Sequence, residues 1–282
     1  MLDIIRDHKI LFALIVLFII LILWIIWSNS AIEITQHTIS SKSIPKAFDG
    51  FKIAQVSDLH NKEYGDNNQE LLDFIRNEKP DIIVITGDLL DCRNTDYNVA
   101  IQFCKGAAEI APTYYITGNH EAWLTELNLL TETLEHWGVT YLANEAVTLN
   151  KDNQSIRLVG MTDTMFTAVY EEKSFDEVLR QLTPECKDYT ILLSHKPDLF
   201  DTYAANDVDL VLTGHTHGGQ IRLPFLGGVY VPDQGFFPKY DAGIFTQNQT
   251  TMIISRGLGD SVFPFRFNNR PEIILVELKS EN

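Results

Sequence analysis

Seven side chains in this sequence have the chemistry of metal ligands and fall at recurring positions: Asp58, His60, Asp88, Asn119, His195, His215 and His217. Carboxylate, carboxamide and neutral imidazole suit zinc, manganese or iron, and no thiolate among them biases the choice further. Taken singly, each has a plain structural explanation. An isolated histidine is more often a satisfied polar residue than a ligand, and Asp88 after an apolar run could cap a helix. Their joint placement argues otherwise. Asp58 and His60 follow the run 51–56 and Gly87-Asp88 follows 81–86, while Gly118-Asn119-His120, Ser194-His195 and Gly214-His215-Thr216-His217 each close a further apolar run. In extended chain, residues two apart point the same way, so Asp58 with His60, and His215 with His217, are expected to face one ion as pairs.

The elements that must carry these residues alternate between strand and helix. Strands are expected over 51–56, 81–86 and 113–117, the second continuous in Ile and Val as in a strand buried on both faces. Helical spacing covers 68–79, stopped by Pro80, and further helices are expected near 97–109 and 124–137. The second half is richer in strands, over 155–160, 189–194, 210–213, 251–255 and 272–278, with helices near 174–182 and 197–205. Such alternation argues for an α/β fold with helices packed on sheet. Five strands would then each deliver a ligand at the carboxyl end, the edge of an α/β sheet where ligands bind. Residues 218–240, rich in glycine, proline and aromatics, read as a long loop.

In this order the motifs Asp58-Leu59-His60, Gly87-Asp88-Leu89-Leu90-Asp91, Gly118-Asn119-His120-Glu121, His195 and Gly214-His215-Thr216-His217 resemble those of the calcineurin-like metallophosphoesterases. Residues 218–224 and 269–273 are similar to the membrane-associated bacterial branch of the YkuE/YaeI type. The resemblance implies a four-layer α/β/β/α sandwich and two divalent metal ions. It gives Asp58, His60, Asp88 and His217 to one metal, with Asp88 bridging to a second that takes Asn119, His195 and His215. It also implies hydrolysis of a phosphoester, a diester before a monoester, by attack of a metal-bridging hydroxide.

His120 is the expected general acid toward the leaving oxygen. In extended chain it points away from Asn119, so it is poorly placed to share that residue's metal, and Asp91 is the candidate to orient it. The alternative for His120 is a phosphate-binding donor without proton transfer. Gln220 and Arg222, just past the last ligand pair, are candidate substrate contacts. Arg222 reads equally as an ion-paired surface side chain. Phe225, Tyr230, Phe236, Phe237 and Tyr240 either line an apolar approach for a lipid tail or form the core of a folded loop.

Ahead of all this stands the apolar, uncharged run 10–27, long enough for one transmembrane helix. It divides the chain into a cytoplasmic stretch 1–9, a signal-anchor helix 10–27, a linker 28–50 carrying one strand near 31–37, and the phosphoesterase domain 51–282. Arg6 and Lys9 precede the run and no basic residue follows it until Lys42, which places the N-terminus inside and the domain outside the cell membrane. The formal charge of −16 excludes a basic nucleic-acid-binding surface and would repel anionic lipid, so the helix itself must hold the membrane. Partners are therefore a phosphoester substrate, lipid-linked or not, and the bilayer. Cys92, Cys104 and Cys186 form no disulfide framework and read as small core residues. A catalytically silent, metal-bound scaffold would keep the fold and lose a ligand, and none is missing. A barrel hydrolase of C–N or C–O bonds fits neither Asn119 nor the strand-rich second half.

Overall fold

A computed structural model of the chain describes residues 2–166, 173–183, 188–260 and 265–281. Its helices are α1 (Leu2–Ser30), α2 (Gln69–Glu78), α3 (Tyr97–Ala108), α4 (Leu127–His136), α5 (Phe175–Leu182) and α6 (Phe200–Ala205). One six-stranded sheet contains β1 (Glu33–Ser41), β2 (Lys52–Val56), β3 (Ile82–Thr86), β4 (Thr113–Ile116), β5 (Val139–Tyr141) and β16 (Glu272–Ser280), in the order β1-β16-β2-β3-β4-β5. The other contains β6 (Glu145–Lys151), β7 (Gln154–Gly160), β8 (Thr190–Leu193), β9 (Leu210–Thr213), β14 (Gly243–Gln247) and β15 (Thr250–Ile254), in the order β14-β15-β9-β8-β7-β6. Strands β2 to β5 run parallel, as do β7, β8, β9 and β15. Antiparallel pairing occurs at β2 with β16, β6 with β7 and β14 with β15.

Strand alternation fixes what each sheet face meets. Ile53, Ile82, Val84, Ile274 and Val276 of the first sheet share one apolar cluster with Ile156, Leu158, Ile191, Leu193, Leu210, Leu212 and Ile253 of the second. The opposite face of the first sheet, through Ala54, Val56, Ile83 and Ile85, packs on Leu71, Leu72 and Ile75 of α2 and on Ala100, Phe103 and Ala107 of α3. The second sheet turns Val159, Leu192, Val211, Met252 and Ile254 onto Phe175, Leu179, Phe200 and Tyr203. The packing order is therefore helix, sheet, sheet, helix. Gln55 ties the two sheets near the site: its Nε2 donates to Thr86 Oγ1 at 3.0 Å and to the Thr213 carbonyl at 2.8 Å.

Helix ends follow local chemistry. Asp96 accepts the Asn98 N–H ahead of α3, and Ser174 forms a capping box with Glu177 ahead of α5. α2 stops at Lys79, which turns left-handed before Pro80. Expectation and structure differ at the periphery. β5, β6 and β14 are absent from the sequence reading because they are short or half-exposed and carry no continuous apolar run. Residues 28–50, read as a linker, are instead folded. β1 pairs in parallel along all of β16, and Ile44 and Phe48 are fully buried in the inter-sheet core. The strand begins two residues later than expected and ends four later.

The loop expected over 218–240 contains two small hairpins, β10 (Arg222–Leu223) with β11 (Gly227–Gly228) and β12 (Tyr230–Val231) with β13 (Gly235–Phe236). Of its five aromatics only Tyr240 joins a core. Cys104 is buried and Cys92 half-buried outside the core; both are free thiols, while Cys186 lies outside the described residues.

α1 is longer than the 10–27 run, and the apolar side chains of that run, apart from the half-buried Ile25, are exposed. Residues His8–Ser30 are long and apolar enough to cross a membrane. Its C-terminal end is fastened to the domain. The Arg270 guanidinium sits 4.8 Å from the Trp27 ring centroid and donates to the carbonyls of Ala31 and Ile32.

Candidate metal centre

The strand ends converge as turns rather than as extended chain. Asp58, His60, Asp88, His215 and His217 all have left-handed φ, between 47° and 69°. The loops after β2 and β3 zip together, Asp58 N–H to the Gly87 carbonyl at 3.0 Å and His60 N–H to the Asp88 carbonyl at 3.1 Å. Gly87 has φ +90°, and a Cβ there would lie 2.6 Å from both the Gly118 nitrogen and His195 Nδ1. Only glycine fits such an approach.

Two clusters hold the expected Asp and His ligands, and a third group, His60 with Asp91 and His120, adjoins the first. The ligand atoms of Asp58, His60 and His217 lie within 4.8 Å of one another, and so do those of Asp88, His195 and His215. His215 and His217 therefore fall in different clusters, as the family resemblance implies and against the pairing that local alternation suggests. The reason is the left-handed backbone at both residues, which breaks the strict alternation of an extended chain. Asp88 joins the clusters: its Oδ2 is 3.5 Å from His60 Nε2 and 3.2 Å from His195 Nε2. Asp58 Oδ1 is 3.3 Å from His217 Nε2, and its carboxylate also accepts the His215 N–H.

Surrounding carbonyls set the imidazole tautomers. His195 Nδ1 faces the Thr86 carbonyl at 2.8 Å and His217 Nδ1 faces the Gly259 carbonyl at 3.3 Å. Both rings thus donate from Nδ1 and present Nε2 as a lone pair, the arrangement that orients a metal-binding histidine. Buried Asn119 Oδ1 and His195 Nε2 have no hydrogen-bond partner among the described residues. Buried polar atoms are normally paired, so unpaired acceptors aimed at a shared space fit a cation.

The electrostatics agree. Burial would depress His195, but the negative charge of Asp88 outweighs it and raises the imidazole to about 10, so that a proton competes at Nε2 for the place a cation would take. The same attraction holds Asp88 well below the usual carboxylate range although burial opposes it. Asp58 is raised by burial. His60 falls to about 3, again chiefly through burial. A field that pulls a proton onto His195 would equally hold a divalent ion there.

His120 stands beside the first cluster, its ring 4.5 Å from that of His60 and edge-on to it. Its Nδ1 is 3.4 Å from Asp91 Oδ1 and 3.3 Å from the Cys92 N–H, while its backbone N–H donates to Asp88 Oδ1. Asp91 is gripped by Arg93 through side chain and backbone. Burial would raise its carboxyl, but those hydrogen bonds hold it down at about 2. Gln220 is buried with φ +57°, and neither amide atom finds a partner among the described residues. Arg222 Nη1 donates to the Gly218 carbonyl at 3.0 Å and lies 2.9 Å from Asp241, which makes it a brace of the loop.

Sequence reasoning assigned no role to Glu121, Asp233 and Arg266. Glu121 is fully buried and accepts the backbone N–H groups of Asp88, Leu90 and Gly118. Burial and the Asp88 charge push it up to about 7. Asp233 Oδ2 lies 3.5 Å from His215 Nε2. Arg266, fully buried, donates to the Arg256 and Gly259 carbonyls and stands 3.5 Å from His217 Nδ1. Only Glu121 carried a signal, its place directly after Asn119-His120. The other two come from distant loops.

Residues 51–219 match the calcineurin-like phosphoesterase family, and the chain belongs to it. It is 34% identical to the metallophosphoesterase YkuE of Bacillus subtilis, over 89% of this chain and 87% of that one. It is 31% identical to the phosphodiesterase YaeI of Escherichia coli, over 81% of this chain and 82% of that one. A transmembrane protein with metallophosphoesterase domain from Bos taurus is 26% identical over 89% of this chain, which spans 57% of that longer protein.

Proposed function

We propose that this chain is a membrane-anchored, dinuclear-metal phosphodiesterase. The observation that carries the reading is the pair of buried clusters meeting on Asp88, one of Asp58, His60 and His217 and the other of His195 and His215. Asp58, His60, Asp88 and His217 would hold one divalent ion, and Asp88, Asn119, His195 and His215 the other. Two such ions bind phosphoryl oxygens, lower the pKa of a shared water and offset charge in the transition state. His120 donates a proton to the leaving oxygen, with Asp91 positioning its ring from the Nδ1 side. Gln220 keeps an unpaired amide for a polar group of the substrate. Arg222 serves that role indirectly, by bracing the loop that carries Gln220.

A diester is favoured because the relative from Escherichia coli bears that activity in its name. Anchoring rests on α1, and Arg6 and Lys9 ahead of its apolar run favour a cytoplasmic N-terminus with the domain outside. The test is turnover of bis-p-nitrophenyl and p-nitrophenyl phosphate by the full-length, detergent-solubilised chain, stripped of metal and then given Mn, Zn or Fe. Asp88→Asn serves as the blank. Metal-dependent diester cleavage absent from the blank supports the reading. Two bound ions per chain without turnover would support a metal-bound scaffold instead.

A further inference from the structure

The hairpins beyond the metal loop end in a set of apolar side chains turned to solvent. Phe225 is fully exposed, and Leu226, Phe236 and Phe237 are 62%, 72% and 57% exposed. Phe225 and Phe237 hold left-handed φ of 68° and 50°, conformations that disfavour bulky residues. The chain thus spends backbone strain on presenting these rings outward.

The stems beneath them are fixed. Thr216 Oγ1 donates to the Asp241 carbonyl, the Gly228 N–H donates to Asp241 Oδ2, and Asp233 reaches His215. Between the stems lies a cleft of about 250 Å³, walled by Ile221, Val229, Tyr230 and Phe236, with Gln220 at its side.

These hairpins connect to the end of α1 through residues 266–267. Asn29 Oδ1 accepts the Arg266 N–H at 2.6 Å, and Asn29 Nδ2 donates to the Arg266 carbonyl at 2.8 Å. The next residue, Phe267, donates its N–H to the Gln220 carbonyl and accepts the Arg222 N–H. From Asn29 to Phe225 this path covers two ladder steps and a short strand, roughly 25 Å at most.

We infer that the tips at Phe225-Leu226 and Phe236-Phe237 are a second membrane-contacting element, which seats the rim of the metal site in the lipid interface. The inference rests on the reading of α1 as a membrane anchor. The helix ends where the domain meets the bilayer, and the apolar tips continue that boundary. With a net charge of −16 the domain gains nothing from anionic headgroups, so the contact is apolar insertion, the mode of an interfacial element. The cleft beside Gln220 then opens toward lipid, and the substrate class is an amphiphilic phosphoester resident in the bilayer.

The test uses the full-length chain in phosphatidylcholine vesicles, with and without lipid spin-labelled near the glycerol backbone. Phe225→Trp and Leu226→Trp each add one indole at the tip. The parent chain, with Trp24 and Trp27 in α1 and Trp123 and Trp137 in the domain, supplies the reference. Quenching of each added indole by about twofold beyond the parent's is the expected result. A quenched parent with unquenched added indoles overturns the inference while leaving the anchor standing. An added emission that follows the chain-to-lipid ratio and ignores the spin label identifies a second copy of the chain as the occupant, and also overturns it. An unquenched parent removes the anchor on which the inference depends. Unchanged turnover of a soluble diester in both variants verifies that they are folded.

Discussion

The Nε2 atoms of His60 and His217 lie 3.1 Å apart, nitrogen facing nitrogen. Burial keeps both imidazoles neutral, His60 at about 3 and His217 well below its ordinary range. His217 already donates from Nδ1 to Gly259, so its Nε2 offers a lone pair toward its neighbour. A cation between the two rings satisfies both. Stripping the metal should therefore lower Tm by roughly 10 °C, since an ion at about 1,000 times its Kd contributes about 4 kcal/mol. Calorimetry before and after chelation, with metal content measured in parallel, checks this. An unchanged Tm in verified metal-free protein would mean that no cation stabilises the pair.

Glu121 makes a second prediction because it holds two ligand loops from behind. Its carboxylate accepts three backbone N–H groups, two from the segment after β3 and one from Gly118. Glu121→Ala leaves three buried donors unpaired, each costing about 1–3 kcal/mol. The expected phenotype is a large fall in Tm together with a loss of metal affinity of about 10–100-fold. Glu121→Gln, which keeps a carbonyl acceptor, should fall between. Titration calorimetry of the three proteins decides, and equal metal affinity in all of them would leave Glu121 without a positioning role.

The central strands β2, β3, β4, β8 and β9 were legible because they are continuous apolar runs, and the ligand positions because each run stops at a polar residue beside a turn. What local spacing could not give was the grouping. Alternation put His215 with His217, whereas the folded chain parts them by turning left-handed at both residues. The edge strands escaped notice for a different reason. β6 carries Glu145, Thr148, Asn150 and Lys151, and its place is set by pairing with β7 rather than by its own pattern. The strand near 31–37 is legible, but its half-buried, polar face does not show that it extends to Ser41 and joins the sheet, which only its pairing with β16 reveals. Asp233 and Arg266 sit on loops apart in sequence from the ligands His215 and His217 that they approach, and nothing short of the tertiary fold connects them.

His120 predicts a dependence on leaving group. With its ring edge-on to His60 and its Nδ1 between Asp91 and the Cys92 N–H, Nε2 is the nitrogen left to serve a leaving oxygen. His120→Asn should slow alkyl phosphodiesters by about 10²–10⁴-fold and p-nitrophenyl esters much less, because p-nitrophenolate leaves without a proton. Asp91→Asn should have a smaller effect in the same direction. Steady-state kcat on the two ester types measures both. Equal losses on both would assign His120 to phosphate binding rather than to acid catalysis.

The last prediction concerns pH and lies away from the metal. Glu272, at the start of β16, is buried with its carboxylate on Arg256, whose other partner is Glu33. Burial would raise the Glu272 carboxyl, but the Arg256 charge and hydrogen bonds outweigh it and hold it below its ordinary value of 4.5. A depressed folded-state value means that the unfolded chain binds the proton more readily. The stabilisation is therefore complete above 4.5 and is lost as pH falls through the lower, folded-state value. Glu272→Gln removes the charge from this contact while Glu33 still pairs with Arg256, a loss of about 1–3 kcal/mol near neutrality. Urea midpoints of both proteins from about pH 7 to about pH 3 should show that gap intact at neutral pH and shrinking on the acid side. A gap that stays constant across the range would show that Glu272 is not ionised in the folded protein, and that its contact with Arg256 is an ordinary hydrogen bond.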